Sequence, residues 1–477
     1  MSATTLDARR PAGILVIVLG SLLTAGLVLL GGSEISPKLW MVFFALLAVF
    51  PAGWLLSRQG ILSLDLVDQV VWAVLLAHTV FVARLKTTGG LVEGQALTSE
   101  IVIQVLIWGA CLVYASARLL GNLARLKTLC GRNAKYMTLF AVAAISSTSY
   151  SISPMTTLAW SIKLGTILLV GSLLFDPKDP IRSCSRFLQA TYAALVMMLA
   201  QYVILGLTSP EAAIEISGVS SFPRLGGYLF PPTQLSSVAG LVALIALTDL
   251  LTTGRKTASW IVLAGSLGLM VGSFGRAGIL AAGVAMCLPL VRMKRTKLAV
   301  GLSLIVCMAF LYAPNLVDIS WDLVTRGQRP QELASLTGRL PLWDMAMNRI
   351  MERPLLGWGY VSGGRVVLAM PFYGWIPSDA HNAYIETVLA LGLLGGVIMF
   401  VCLAKSFLSA TVALVATWRE TPPTEAALIT LKVLSLLVCL LVYGFFEGSF
   451  SGVPRVHTAL LCGLVFCTDQ LRRHSPR

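Results

Sequence analysis

Apolar stretches of about 20 residues recur along nearly the whole of this 477-residue chain, and each is long enough to cross a hydrocarbon core of roughly 30 Å as a helix. Hydrophobic residues make up 56% of the sequence and charged ones only 12%, against roughly 25% charged in an ordinary soluble domain. The mean hydropathy is +0.82. These features predict an all-α polytopic membrane protein. Spans are expected near 12–30, 38–56, 61–83, 100–118, 135–150, 155–175, 187–207, 232–251, 258–272, 277–291, 298–313, 384–404, 428–446 and 456–471, giving about 12–14 transmembrane helices. The short segments 258–272 and 277–291 also read as one re-entrant hairpin, which returns the chain to the same side. The first segment resembles a signal peptide but has no clear small-residue cleavage pattern, so an uncleaved first span is expected.

Lysine and arginine set the orientation. With Arg9 and Arg10 inside, that side collects 22 of the 36 basic residues, from Arg9 and Arg10 through Arg58, Arg118, Arg125, Arg186, Arg292 and Lys405 to Arg477. Both termini are therefore expected in the cytoplasm. The net charge of +14 is mostly topogenic, and nothing in its distribution points to nucleic acid. The nine cysteines fall in spans or inner loops, with neither a disulfide framework nor a CxxC zinc pattern.

The chain divides into N-terminal helices (1–207), an arginine-bearing outer segment with central helices (208–313), a large outer loop (314–382) and C-terminal helices (383–477). A loop that long is usually functional or disordered. Within it, "LTGRLPLWDMAMNRIMERPLLGWGY" predicts a helix with Trp343, Met347 and Ile350 on one face, Asp344, Asn348 and Glu352 on another, and Pro354 as its stop.

Twelve cations lie on the outer side. The nine after residue 200, namely Arg224, Arg276, Arg326, Arg329, Arg339, Arg349, Arg353, Arg365 and Arg455, are all arginine. A topogenic rule depletes positive charge there, whereas arginine's planar fork grips phosphate in bidentate fashion. The bias points to an outward-facing phosphate or pyrophosphate site. Arg349 and Arg353 also fit a solvated helix face, a pair with Glu352 or contact with anionic headgroups, and Arg326 and Arg329 fit a solvated loop. Arg224, Arg276 and Arg339 differ, because each stands beside glycine in an apolar setting ("FPRLGGY", "SFGRAG", "LTGRLPLW"), where an ionised group needs a partner.

His381 lies in "PSDAHNAYIETVLALGLLGG". With Ser378 or Asp379 as N-cap it falls in the first helical turn, where the helix dipole disfavours imidazolium. It is expected to be neutral and able to accept a proton, although a capping or interfacial histidine is an equal fit to the spacing. Asn382 and Tyr384 offer hydrogen bonds to a sugar or phosphate, or belong to the interface. Glu386 is expected to point into the bundle, orienting a donor or pairing with an arginine. Lys163, in mid-span, needs a partner or water, while Lys432 can snorkel. The sequence has no P-loop, HExxH, GxSxG or outward DxD pair, so no metal or other cofactor is expected.

The stretch from "LTGRLPLWDMAMNRIMERPLLGWGY" to "HNAYIETVLALGLLGG" resembles the C-terminal region of the bacterial O-antigen ligase and O-antigen or exopolysaccharide polymerase family. "RLGGYLFPPTQLSSVAGLVALIAL" and "SFGRAGIL" are similar to its upstream arginine elements, although "FPPTQ" stands where many members have Pro-Asn. The resemblance covers roughly residues 220 to 405. It implies a bundle similar to the lipid-linked-sugar (GT-C) glycosyltransferases and a metal-independent periplasmic reaction. In that reaction glycan passes from an undecaprenyl-diphosphate carrier to a second glycan or a lipid A–core acceptor, with a chain-length regulator as a further partner. Carried over by residue, Arg224 and Arg276 hold the diphosphate, Arg339 assists from the loop, and His381 activates the acceptor hydroxyl or organises the site. The span number and the loop lean slightly toward a polymerase. The competing class is a non-enzymatic flippase, whose cations should line a path open to both faces.

Overall fold

A computed structural model describes residues 63–81, 99–217, 220–227, 230–253, 256–295, 339–368, 379–418 and 423–474. The expected spans at 12–30, 38–56 and 298–313, together with Arg326 and Arg329, lie outside these residues. The chain is an all-α polytopic membrane protein. Its long helices are α1 (Leu64–Phe81), α2 (Ser99–Leu120), α3 (Ala134–Ser146), α4 (Pro154–Leu173), α5 (Pro180–Thr208) and α6 (Pro232–Thr253). They continue as α7 (Lys256–Gly272), α8 (Arg276–Arg292), α9 (Arg339–Glu352), α10 (Ala383–Ala416), α11 (Glu425–Gly444) and α12 (Val456–His474). Among the described residues, α4, α5, α6, α10 and α11 are long and apolar enough to cross a membrane on their own composition.

The helices start where local chemistry favours it. Pro154 and Pro180 stand in the first turns of α4 and α5, where the missing N–H costs nothing, and Asp179 caps α5 by accepting from the Arg182 N–H. The run 176–179 is thus a turn, as its sequence suggests. Segments 256–272 and 276–292 are two separate helices of 17 residues each, about 25 Å long at 1.5 Å per residue. Both pack along α6, so the hairpin crosses with the bundle. Buried from residue 456 to 471, α12 forms the axis on which α4, α5, α10 and α11 pack.

One end of the bundle is tied by carboxylates. Asp68, 1% exposed, accepts from Arg118, Arg125 and Tyr114 at 2.7–3.2 Å, and Arg125 also donates to the Leu173 carbonyl at 2.6 Å. Asp469 accepts the Asn133 and Ala134 N–H groups at 2.8 and 2.9 Å, capping α3 from α12. Lys432 is paired with Asp249 rather than left to snorkel. Removing one partner of a buried pair strands the others, at about 3–5 kcal/mol. Asp68→Asn is therefore expected to lower stability by about 3 kcal/mol, read as an earlier thermal unfolding transition in detergent, with Asp65→Asn, half-exposed, changing it far less.

The other end carries the departures from regular helix. Strands β1 (Ile214–Ser217) and β2 (Ser220–Leu225) form an antiparallel hairpin with Glu215 opposite Arg224, a small exception to the all-α expectation. Helix α9 ends at Glu352, as Pro354 predicts. Its buried face is Leu342, Ala346 and Ile350, however, not Trp343 and Met347 with Ile350. Met347 is 50% exposed, because the four-residue ridge rather than the expected stripe meets Leu368, Ala380 and Leu389.

The largest surprise is inside α10, which breaks at Gly392 with φ 64° and ψ −168°. The loop after α9 is spliced into the break. Trp358 and Gly359 donate to the freed carbonyls of Leu389 and Ala390 at 3.0 and 2.8 Å, and Leu393 donates to the Pro354 carbonyl at 2.8 Å. These bonds answer the demand that buried backbone groups be paired. A Cβ on Gly392 would run into the Leu355 backbone. Gly392→Ala is expected to cost at least about 1–3 kcal/mol from the left-handed conformation alone, measurable as a lower unfolding temperature, whereas Gly165→Ala, which meets open space, should leave stability unchanged.

Candidate functional site

The site lies at the end of the bundle that carries the β-hairpin and α9. Arg276 is the first residue of α8, just after Gly275. The N-terminal turns of α6 and α8 meet closely there, with Ser236 Oγ donating to the Gly275 carbonyl at 2.8 Å and no room for a side chain on Gly275. Arg224 reaches across the hairpin to Glu215 at 2.8 Å. Arg339 is the first residue of α9 and donates to Glu447 at 2.8 Å. The three arginines come from three separate elements, and the charges of Arg339 and Arg224 both bear on Arg276. Their convergence is the main electrostatic feature of the site. Like charges this close repel in a medium of low dielectric, so the arrangement suits an anion.

His381 stands opposite. Its Nδ1–H faces the Glu447 carboxylate at 3.2 Å and the Asp379 carboxylate at 3.3 Å. Its backbone N–H also donates to Asp379 at 2.9 Å, which holds the residue at φ 47°, a conformation uncommon outside glycine. Burial alone would lower the imidazole pKa, but the charges of Asp379 and Glu447 outweigh it and raise it to about 9. This corrects the expectation of a neutral ring. His381 precedes α10 instead of sitting in its first turn, and two full carboxylate charges win over the half-charge of a helix end. Asp379 shifts the other way. Burial would raise its pKa, but His381 and Arg455 bring it down to about 2, with Arg455 donating at 2.9 Å.

The N-cap of α10 is Asn382, not Ser378 or Asp379. Its Oδ1 accepts from the Tyr384 and Ile385 N–H groups at 2.9 and 3.1 Å, and its Nδ2 donates to the Phe445 carbonyl at 3.2 Å. Tyr384 donates to the Leu441 carbonyl at 3.0 Å and lies between Phe445 and Phe450. Both side chains lock α10 to the last turn and C-terminal cap of α11 rather than face the arginines. Glu386, 1% exposed, points into the bundle as expected, but it accepts the Ala380 N–H at 2.9 Å instead of pairing directly with an arginine. Gly364 and Gly452 lie against its side chain.

Three residues that sequence reasoning passed over complete the arrangement: Glu447, Asp379 as an ion-pair partner, and Arg455. Glu447 holds both Arg339 and His381. It is the only acid between Glu425 and Asp469, in a stretch of aromatic and small residues, and that isolation was the available signal. Trp343 Nε1 donates to the Ala380 carbonyl at 2.9 Å, fastening α9 over the histidine turn. Arg349 pairs with Glu352 at 2.8 Å on the exposed face, and Arg353 stacks on Trp358 at 4.2 Å, so these two take the ordinary roles open to them. Among the described residues no three His, Cys, Asp or Glu side chains are arranged to hold a metal ion.

Fold and site together define a polytopic helical membrane protein with three arginines drawn together at one end of its bundle. Residues 260–400 match the family model for O-antigen ligase. The matched region includes Arg276, Arg339 and His381. A Rickettsia conorii protein provisionally named a polysaccharide ligase is 27% identical over 107 residues. That match takes in 19% of this chain and 26% of the relative's length.

Proposed function

We propose that the protein is a glycosyltransferase of cell-surface polysaccharide assembly that takes glycan from an undecaprenyl-diphosphate carrier and joins it to an acceptor hydroxyl at the periplasmic face of the inner membrane. The observation that carries this reading is the convergence of Arg224, Arg276 and Arg339 from three elements. Glycosyl transfer from a diphosphate requires charge stabilisation where the leaving group departs, and preorganised donors in a water-poor site supply it. Arg276 and Arg339 act on the diphosphate, with Arg224 binding beside them. A phosphate oxygen competes with Glu447 for Arg339 and with Glu215 for Arg224, so the resting ion pairs are placeholders for the substrate.

With its pKa raised to about 9, His381 is an imidazolium at neutral pH. It acts as a further cation and hydrogen-bond donor facing the diphosphate, not as the resting base. Asn382, Tyr384 and Glu386 position the turn that carries it. Ligation is preferred to polymerisation because the family description and the relative's name both carry that word, while the lean toward a polymerase rested on span number and loop length. Against a flippase, the arginines at the opposite end, Arg118, Arg125 and Arg186, are held by Asp65 and Asp68, whereas Arg224, Arg276 and Arg339 draw together at this one. Gene deletion followed by gel analysis of surface glycan tests the reading. Carrier-linked polymer accumulates if the protein is a ligase, a single capped repeat remains if it is a polymerase, and an unchanged glycan profile overturns both.

A further inference from the structure

A second donor-rich cluster lies away from the three arginines, where α2, α4 and the segment after α9 meet. Trp160 on α4 is its floor. The Lys163 ammonium lies 4.2 Å from the centre of that indole and the Arg365 guanidinium carbon 5.4 Å from it. Trp108 on α2 closes one side, 5.6 Å from Lys163. Side chains on a helix lean toward its N-terminus, so Lys163, tenth in α4, leans toward the end where Arg365 is held.

The cluster has donors without acceptors. Arg365 Nε and Nη1 and Trp108 Nε1 are buried and meet no hydrogen-bond partner among the described residues. Lys163 has one, Gln104 Oε1 at 3.1 Å. The carboxylates nearest in charge to Arg365 are Asp379 and Glu386, and both are engaged elsewhere, with Arg455 and His381 and with the Ala380 N–H. Burial and the neighbouring Arg455 lower the Arg365 pKa to about 10, which leaves it charged. Two cations and an indole N–H with so few acceptors form an expensive arrangement unless a ligand brings several oxygens at once. A carboxylate offers oxygens in one plane, whereas a tetrahedral phosphate can meet donors converging from α2, α4 and the loop together.

We propose that Arg365, Lys163 and Trp108 form a second anion site that takes a phosphate group, separate from the Arg224, Arg276 and Arg339 cluster. Lys163 leans from mid-span toward the end of the bundle that holds Arg365, which puts the donors within reach of the headgroup layer, where the phosphate of a lipid is the ligand at hand. Free phosphate shares the chemistry and is separated by experiment. The site stands whether or not the chain transfers glycan, and the test reads binding alone.

Full-length protein is purified in detergent, and binding of dioleoyl phosphatidic acid, dioleoyl phosphatidylcholine and inorganic phosphate is followed by native mass spectrometry and by thermal unfolding. Wild type is expected to retain phosphatidic acid in preference to phosphatidylcholine and to unfold at a higher temperature with it. Arg365→Gln and Lys163→Gln should weaken that binding about tenfold or more, and Trp108→Phe by a smaller factor. Lys405→Gln, which removes a cation held by Tyr136 away from both clusters, should bind phosphatidic acid as wild type does. Displacement by millimolar inorganic phosphate assigns recognition to the phosphate group alone, and resistance to displacement assigns it to the lipid as a whole. Unchanged binding in both Arg365→Gln and Lys163→Gln overturns the proposal. So does a wild type that neither distinguishes the two lipids nor responds to inorganic phosphate, a measurement that decides the matter even where a variant fails to fold.

Discussion

Arg276→Ala and Arg339→Ala are each expected to lower glycan transfer by about 10²- to 10³-fold, the usual cost of removing one preorganised donor from a developing anion. Transfer is assayed with purified, membrane-inserted protein and a polyprenyl-diphosphate-linked donor. Arg339→Ala also leaves Glu447, 4% exposed, with His381 as its remaining cation, so part of its loss can be structural. Arg276→Ala serves as the control, because Arg276 lies at the start of α8 and its removal leaves the Arg339–Glu447 pair in place. Arg276→Lys and Arg339→Lys keep the charge but lose the fork, and both are expected to remain strongly impaired. Near-normal transfer by Arg276→Ala and Arg339→Ala in folded protein would sink the diphosphate role.

The transfer rate of the wild type is expected to hold through neutral pH and fall as pH rises through about 9, where His381 loses its proton. The sign follows from the raised pKa. The charged form dominates below that value, so a cationic role is lost on the alkaline side, whereas a base role would make the rate rise there. The same linkage acts on stability. The contribution of the His381 imidazolium is complete below the ordinary value of 6.5 and disappears as pH passes about 9. Glu447→Gln removes one of the two carboxylates and should move the alkaline fall to lower pH. His381→Gln should abolish that fall along with most of the activity. A rate that climbs through pH 9 in wild type would show that the neutral ring does the work.

Helix positions were readable because hydropathy and membrane thickness together leave little freedom. The expected spans at 100–118, 232–251 and 277–291 fall within two residues of α2, α6 and α8 at each end. Arg276 and Arg339 stood out because a charge beside glycine in apolar sequence is costly without a partner, and the structure places both at one end of the bundle. The charge state of His381 was misread because its deciding neighbour, Glu447, is 66 residues away in sequence, across two helices. Asn382 looked like a ligand-facing amide because capping and ligand binding call for the same chemistry. The break at Gly392 was hidden, since "LGLLGG" reads as an ordinary small-residue stretch and the loop that repairs it is distant in sequence. Lys163 announced a need but not its answer, because Gln104 lies on another helix.

The splice at Gly392 also sets the unit in which this region can be exchanged between relatives. Residues 353–359 supply hydrogen bonds that α10 cannot make for itself, and Gly357 lies directly against the Ala390 backbone. A chimera that imports a foreign loop while keeping the native helix, or the reverse, puts two halves of one hydrogen-bonded joint under different sequence control. This region is therefore best exchanged as a single cassette running from Arg339 through Gly396, with both faces of the joint carried across together.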